Sequence, residues 1–274
     1  MILSTPLIVE LLLLGVATGF LAGLLGIGGG MILVPFLTLI MSQRGLPPDT
    51  AVKVAIATSM ATIVFTSLSS IRAQQKRGAI QWTVVRHLTP GLLLGALLAS
   101  AGVFSLIKGH WLALIFAVFV GFSAMQMLRQ SKPSATRGMP RPAGQWLAGG
   151  VIGFLSGMVG AGGGFVSVPF LVWCNIAVHQ AVATSAAMGL PIALFNVVGY
   201  VLSGSQASNL PVGSVGYIYL PAMATVALAS VFFAPLGVRA SHALPVAQLK
   251  RVFATVLFLL AGYMLYKGLS ANYW

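Results

Sequence analysis

Residues 19–37 read GFLAGLLGIGGGMILVPFL, and residues 153–171 read GFLSGMVGAGGGFVSVPFL. Twelve of these nineteen positions are identical without a gap, which predicts two homologous repeats. A second match follows in each half, where AIATS at 55–59 recurs as AVATS at 181–185. We place the first repeat at 1–130 and the second at 145–274. Between them lies a basic, Pro-rich linker at 131–144, which we expect to be cytoplasmic.

The composition excludes a soluble globular protein. The chain has 274 residues, of which 58% are hydrophobic and 6% are charged, and its mean hydropathy is +0.98. An ordinary soluble domain is about half apolar and roughly a quarter charged. Several apolar runs have the length of about 20 residues that a bilayer crossing needs. The sequence therefore predicts an all-α integral membrane protein with eight hydropathy-defined transmembrane segments.

The charges indicate how the repeats are arranged. There are 15 Lys and Arg residues against 2 Asp and Glu, and such a basic excess marks cytoplasmic loops in a membrane protein, so nucleic-acid binding is disfavoured. If each half crosses the membrane an odd number of times, the cations divide eleven to four between the two faces, and with four crossings per half they divide nine to six. The first division favours inverted repeats with both termini outside. Eight helices in parallel repeats remain the alternative.

An odd number of crossings requires the long first segment of each half, at 6–41 and 146–174, to be broken. Three consecutive glycines followed by a proline five positions later do not sustain a regular helix in lipid. The predicted breaks are Gly26, Gly28, Gly29 and Gly30 with Pro35, and Gly160, Gly162, Gly163 and Gly164 with Pro169.

Broken helices at matching places in two repeats point to a transporter's binding site, where helix N-termini direct backbone N–H groups at an anion. The alternative is that the glycines only allow close helix packing. We favour packing for the ladder Gly15, Gly19 and Gly23 and a substrate site for the glycine runs.

Adjacent hydroxyls in each half suit a small oxyanion that accepts hydrogen bonds from neutral donors. These are Thr58 with Ser59, and Thr184 with Ser185. The alternative is that they bond back to the preceding helical turn. Asn196, within an apolar run, is a further candidate substrate ligand, or else it links two helices.

The ionisable residues argue against an enzyme. Glu10 and Asp49 are the two acidic residues, so no carboxylate pair is available for acid–base chemistry deep in the membrane. The four histidines lack the spacing of metal ligands and lie near segment ends, at His87, His110, His179 and His242. We expect no catalytic residue, no metal and no cofactor.

Taken together, these motifs resemble the TauE/SafE family of sulfite exporter-like membrane transporters. The twin glycine motifs, the paired AxATS and the stretch from Gly216 to Phe253 carry the resemblance, which spans nearly the whole chain. It implies a multi-pass carrier in the bacterial inner membrane with sulfite or organosulfonates as substrates.

We therefore expect a secondary transporter that moves small oxyanions by alternating access. An anion channel with the same lining is the first alternative, and a membrane scaffold whose glycines serve only packing is the second. The expected partners are the anionic substrate and membrane lipid, and a homodimer is compatible with the sequence.

Overall fold

A computed structural model describes residues 5–26, 28–128, 138–205, 207, 210–243 and 246–270. These residues form ten α-helices, and a π-helical turn at Leu98–Val103 continues the fourth. The helices are α1 (Thr5–Leu25), α2 (Gly30–Gln43), α3 (Pro48–Gln75), α4 (Trp82–Leu97), α5 (Gly109–Leu128), α6 (Pro142–Val159), α7 (Gly164–Trp173), α8 (Val178–Gly204), α9 (Leu220–Ala243) and α10 (Val246–Ser270). A short antiparallel pair, β1 (Ser214–Val215) and β2 (Ile218–Tyr219), precedes α9.

The predicted all-α membrane class is confirmed. Among the described residues, six helices are long and apolar enough to cross a bilayer, namely α1, α3, α4 with its π-helical turn, α5, α8 and α9. Of these six, α3 has the largest buried share. The count of eight crossing segments stays a prediction. Residues 131–137 of the expected linker lie outside the described residues, and α6 begins within the rest of it, at Pro142.

The first segment of each half is interrupted at its glycine run. α1 ends at Leu25 and α2 begins at Gly30, while α6 and α7 are separated by residues 160–163. Gly29 and Gly163 precede the new helices with φ of 71° and 78°, a left-handed conformation that costs other residues about 1–2 kcal/mol.

The two prolines lie elsewhere than we expected. The prediction that Pro35 and Pro169 belong to the helix breaks is wrong, because they lie inside α2 and α7. A proline removes one backbone hydrogen bond yet has a helical φ, so the helix continues past it. The interruption is therefore a property of the glycines.

Each half packs its first and fourth helices against the other half. α1 contacts α9, and α4 contacts α6 in the same way, while α3 meets α8 and α5 meets α10. The glycine ladder of α1 allows this approach, because a Cβ at Gly19 would collide with the backbone of Ser230, and one at Gly23 with that of Ala234. Packing is thus the role of the ladder.

Three helices run in the same direction. Along α1 and α9, Gly15 faces Val226 and Gly23 faces Ala234, so both residue numbers rise together. Along α3 and α9, the Thr58 hydroxyl bonds the backbone of Tyr219, and the hydroxyl of Ser69 bonds that of Val231. α1 and α3 are therefore parallel, and α2 runs back between them.

The fifth helices of the two halves run in opposite directions. Gly268 of α10 packs against Leu114 near the beginning of α5, whereas Gly121, farther along α5, faces Ala261, nearer the beginning of α10. These two helices occupy equivalent positions in the repeats.

Candidate functional site

The two glycine runs touch each other inside the helix bundle. A Cβ on Gly28 would lie 3.1 Å from the Cα of Gly162, and a Cβ on Gly30 would collide with the carbonyl oxygen of Gly160. Only residues without a side chain allow two backbones to approach this closely. The paired motifs that dominate the sequence therefore form one structure.

Two helix N-termini begin at this contact. α2 begins at Gly30 and α7 begins at Gly164, each directly after its break. The first backbone N–H groups of a helix lack partners within the helix, and its N-terminus carries a partial positive charge of about half an elementary charge. The two halves thus each contribute one positively polarised helix end to the same region.

Two of the predicted hydroxyls link the halves across the break. Ser59 donates to the carbonyl oxygen of Gly160 at 2.9 Å, and Ser185 donates to that of Gly26 at 3.1 Å. The Ser185 oxygen also lies 2.7 Å from that of Ser167. Both serines bond to the opposite half of the chain rather than back to their own helical turn.

The adjacent threonines bond to the residues that immediately precede two other helices. Thr58 accepts a hydrogen bond from the Tyr219 backbone N–H, and Thr184 accepts one from Gln81, both at 3.0 Å. Tyr219 and Gln81 immediately precede α9 and α4. These threonines therefore fix equivalent inter-half contacts and do not line the cleft described next.

A narrow cleft lies beside the touching glycines, between α3 and α8. It is narrow and partly open, with about 220 Å³ of empty space. Four of the predicted residues line it, namely Gly26, Gly28, Gly162 and Ser185. The other described residues that line it are Ala22, Thr66, Ser67, Ser70, Ala186 and Gly189, so no ionisable side chain is among them.

Three hydroxyls on α3 line the cleft but were not predicted as site residues from the sequence. Thr66, Ser67 and Ser70 line the cleft, and the Thr66 oxygen lies 2.7 Å from that of Ser230. Within the described part of the chain, Ser67 and Ser70 donate no hydrogen bond to a protein group. The run TSLSS at 66–70 places four hydroxyls close together in an apolar helix. This pattern could have indicated a polar site from the sequence.

Asn196 lies outside the cleft. Its amide nitrogen donates to the carbonyl oxygen of Ile192 one turn earlier, at 2.9 Å. Its Oδ1 atom is buried without a hydrogen-bond partner among the described residues and faces Gly157 of α6. This placement fits contact between helices better than contact with a ligand.

The acidic Asp49 has a structural role. Its carboxylate accepts a hydrogen bond from the backbone N–H of His110 at 3.1 Å, where α5 begins, and lies 3.6 Å from the His110 ring. A carboxylate at a helix N-terminus is stabilising. Lys53, one turn along α3, donates to the carbonyl oxygen of Ser105 at 3.0 Å.

Comparison with known proteins identifies the family. The profile described as Sulfite exporter TauE/SafE matches residues 11–264. The chain belongs to this family.

A probable membrane transporter protein of Haemophilus influenzae is 36% identical over 91% of this chain and 95% of its own length. A second one, of Methanocaldococcus jannaschii, is 26% identical over 93% and 94%. No solved structure matches the chain. The chain is thus a multi-pass membrane protein of a transporter family.

Proposed function

We propose that this TauE/SafE protein is a secondary transporter that moves small oxyanions of the sulfite or organosulfonate type across the bacterial inner membrane by alternating access. The observation that carries the proposal is the cleft beside the touching glycine runs. Hydroxyls from α3 and α8 line it, and the N-termini of α2 and α7 begin two residues after its lining glycines Gly28 and Gly162.

The chemistry of the cleft favours an anion over a cation or an amine. Hydroxyl and backbone N–H groups donate hydrogen bonds, and an oxyanion accepts them at each of its oxygens. Ser67 and Ser70 line the cleft, and their hydroxyls are available to donate hydrogen bonds to a substrate. Because no carboxylate lines the cleft, nothing there competes with the substrate for these donors or attracts a cation.

The narrowness of the cleft favours a carrier over a channel. A channel needs a continuous water-filled path, whereas here the backbones of Gly28 and Gly162 pack against each other beside the cleft. In alternating access, substrate enters when one repeat moves against the other. We propose that this movement occurs at the close contact between Gly28 and Gly162.

We further propose that the repeats are inverted and that both termini lie outside. Antiparallel α5 and α10, together with parallel α1 and α3, support this arrangement. It puts eleven of the 15 cations on one face, which the positive-inside rule assigns to the cytoplasm. These are Arg72, Lys76, Arg77, Arg86, Arg129, Lys132, Arg137, Arg141, Arg239, Lys250 and Arg251.

Reporter fusions test the orientation directly. A reporter after Trp274 is expected to score as external, and one inserted between Ser134 and Ala135 as cytoplasmic. A cytoplasmic C-terminus would restore the alternative with parallel repeats.

Flux in proteoliposomes tests the site. We expect saturable uptake of radiolabelled sulfite or of a small sulfonate. In a Ser67→Ala/Ser70→Ala double variant we expect KM to rise about a hundredfold or more, since hydrogen bonds to a charged group contribute about 1.5–3 kcal/mol each. The matched control is Ser69→Ala, because Ser69 lies between them in sequence but bonds to Val231 of α9.

Three outcomes contradict the proposal. Flux that does not saturate indicates the channel, and no flux of any small anion by a folded protein indicates the scaffold. An unchanged KM in the folded double variant removes the α3 hydroxyls from the substrate site.

A further inference from the structure

A second cavity lies on the outer side of α3, away from the cleft. It is a groove between α3 and α9 with about 1090 Å³ of empty space that opens to the surroundings. One end is basic and carries Arg72, Lys76, Arg77 and Arg239. The rest is largely apolar and is lined by Phe65, Leu68, Val231, Pro235 and Val238, with Ser69 and Ala73 completing the lining.

No acidic side chain of the chain can neutralise this basic cluster. Asp49 and Glu10 are the two acidic residues, and Asp49 is at the opposite end of α3 from Arg72, about 35 Å away at 1.5 Å per residue. Glu10 is near the beginning of α1, which runs parallel to α3, so it lies at the same distant end. The charge is therefore balanced from outside the chain.

The groove is complementary to an amphiphile, because it has a basic end and an apolar wall. Phe65 and Leu68 are 42% and 39% exposed, and Phe65 precedes Arg72 by about two helical turns, or roughly 10 Å. The apolar wall therefore extends from the basic cluster into the depth of the bilayer. A free inorganic anion makes no favourable contact with such an apolar wall, whereas an acyl chain packs along it.

We propose that this groove binds an anionic glycerophospholipid, with its phosphate among the four cations and an acyl chain along the apolar wall. The proposal rests on the orientation proposed above, which places the basic cluster at the cytoplasmic leaflet, where anionic lipids attract juxtamembrane cations. The groove is separate from the substrate cleft, since Ser67 and Ser70 line the cleft while Ser69 and Arg72 line the groove.

Native mass spectrometry of the full-length protein in a neutral detergent tests this proposal. The protein is titrated with phosphatidylglycerol and, separately, with phosphatidylcholine of the same acyl chains. We expect preferential retention of phosphatidylglycerol. In an Arg72→Gln/Arg239→Gln variant, affinity is expected to fall about fivefold for each removed cation.

The matched control is Arg86→Gln/Arg141→Gln, which removes the same charge from the same proposed face without touching the groove. It is expected to keep the affinity of the unmodified protein. If the glutamine pair does not fold, Leu68→Ser keeps every cation and is expected to weaken lipid retention through the apolar wall alone.

Four results would overturn the proposal. They are equal retention of the two lipids, equal losses in the groove and control pairs, full retention of phosphatidylglycerol by the folded groove variants, and displacement of the lipid by glycerol phosphate at the same concentration. The last result would make the groove a site for a free phosphate group. Lipid retention is measured without transport, so its failure is distinguishable from a failure of the substrate cleft.

Discussion

The two broken segments are alike in sequence but differ in the side chains that pack against them. In the ungapped match of AIATS with AVATS, Ile63 of α3 corresponds to Gly189 of α8. The Ile63 side chain lies against the glycine runs, 3.2 Å from a Cβ built on Gly162 and 3.5 Å from one built on Gly28. Gly189 has no side chain at the corresponding position, and it lines the cleft.

The polar lining is equally one-sided. Ser67 and Ser70 of α3 correspond to Ala193 and Asn196 of α8, and neither of the latter lines the cleft. The duplicated residues thus build the contact between the halves, and the residues that have diverged decide where it opens. A symmetric molecule would have two such clefts or none.

Filling the cleft is the largest perturbation of this asymmetry. Gly189→Ile gives α8 the residue that α3 has, and its Cβ alone would lie 3.0 Å from the Ser67 hydroxyl and 3.3 Å from the Gly162 carbonyl oxygen. We expect anion flux in proteoliposomes to fall to the level of protein-free vesicles, because the added side chain occupies the cleft.

Gly262→Ile is the control for that variant. Gly262 also lies in a helix, α10, but a Cβ there meets no atom of the described residues within 4 Å. We expect it to keep most of the flux. Normal flux in a folded Gly189→Ile protein would show that substrate does not pass through the cleft.

The contact between the glycine runs is tested by stability. Gly28→Ala and Gly45→Ala both put a side chain on a left-handed residue, with φ of 77° and 84°, which costs about 1–2 kcal/mol. A Cβ on Gly45 meets no described atom within 4 Å, whereas one on Gly28 faces the backbone of Gly162. Overpacking is expected to add about 1–3 kcal/mol at Gly28 alone.

Thermal unfolding in detergent measures this difference. The Tm of Gly28→Ala is expected to fall further than that of Gly45→Ala. Equal shifts would mean that the two breaks do not depend on close backbone contact.

Ser59 and Ser185 allow a structural role to be distinguished from a role in substrate binding. Ser59→Ala and Ser185→Ala each leave a buried glycine carbonyl oxygen without its donor, at a cost of about 1–3 kcal/mol. Stability is therefore expected to fall in both variants, and further in Ser185→Ala, which also loses its contact with the Ser167 hydroxyl. Because Ser185 lines the cleft and Ser59 does not, KM for the anion is expected to rise only in Ser185→Ala. Equal effects on transport would remove the functional difference between the halves.

The sequence predicted the backbone of this molecule better than its cavity. The helix breaks follow from the glycine runs themselves, because a left-handed φ and a close backbone approach both select for glycine. The cleft was not predictable in the same way, since repetition drew attention to Thr58 and Thr184, which hold the two halves together. A cleft forms where a neighbouring residue lacks a side chain. The sequence does not show that Gly189 is such a neighbour, because this depends on how α8 packs against α3.

The smallest effect is expected at Asn196. Asn196→Ser gives α8 the residue that α3 has at position 70, and it removes a buried Oδ1 atom that has no partner among the described residues. Relief of that unsatisfied oxygen offsets the packing lost against Gly157, so stability is expected to change by less than about 1 kcal/mol. Flux is expected to stay normal, because Asn196 does not line the cleft. A large rise in KM with an unchanged Tm would instead place this amide on the substrate's path and extend the site along α8 toward α6.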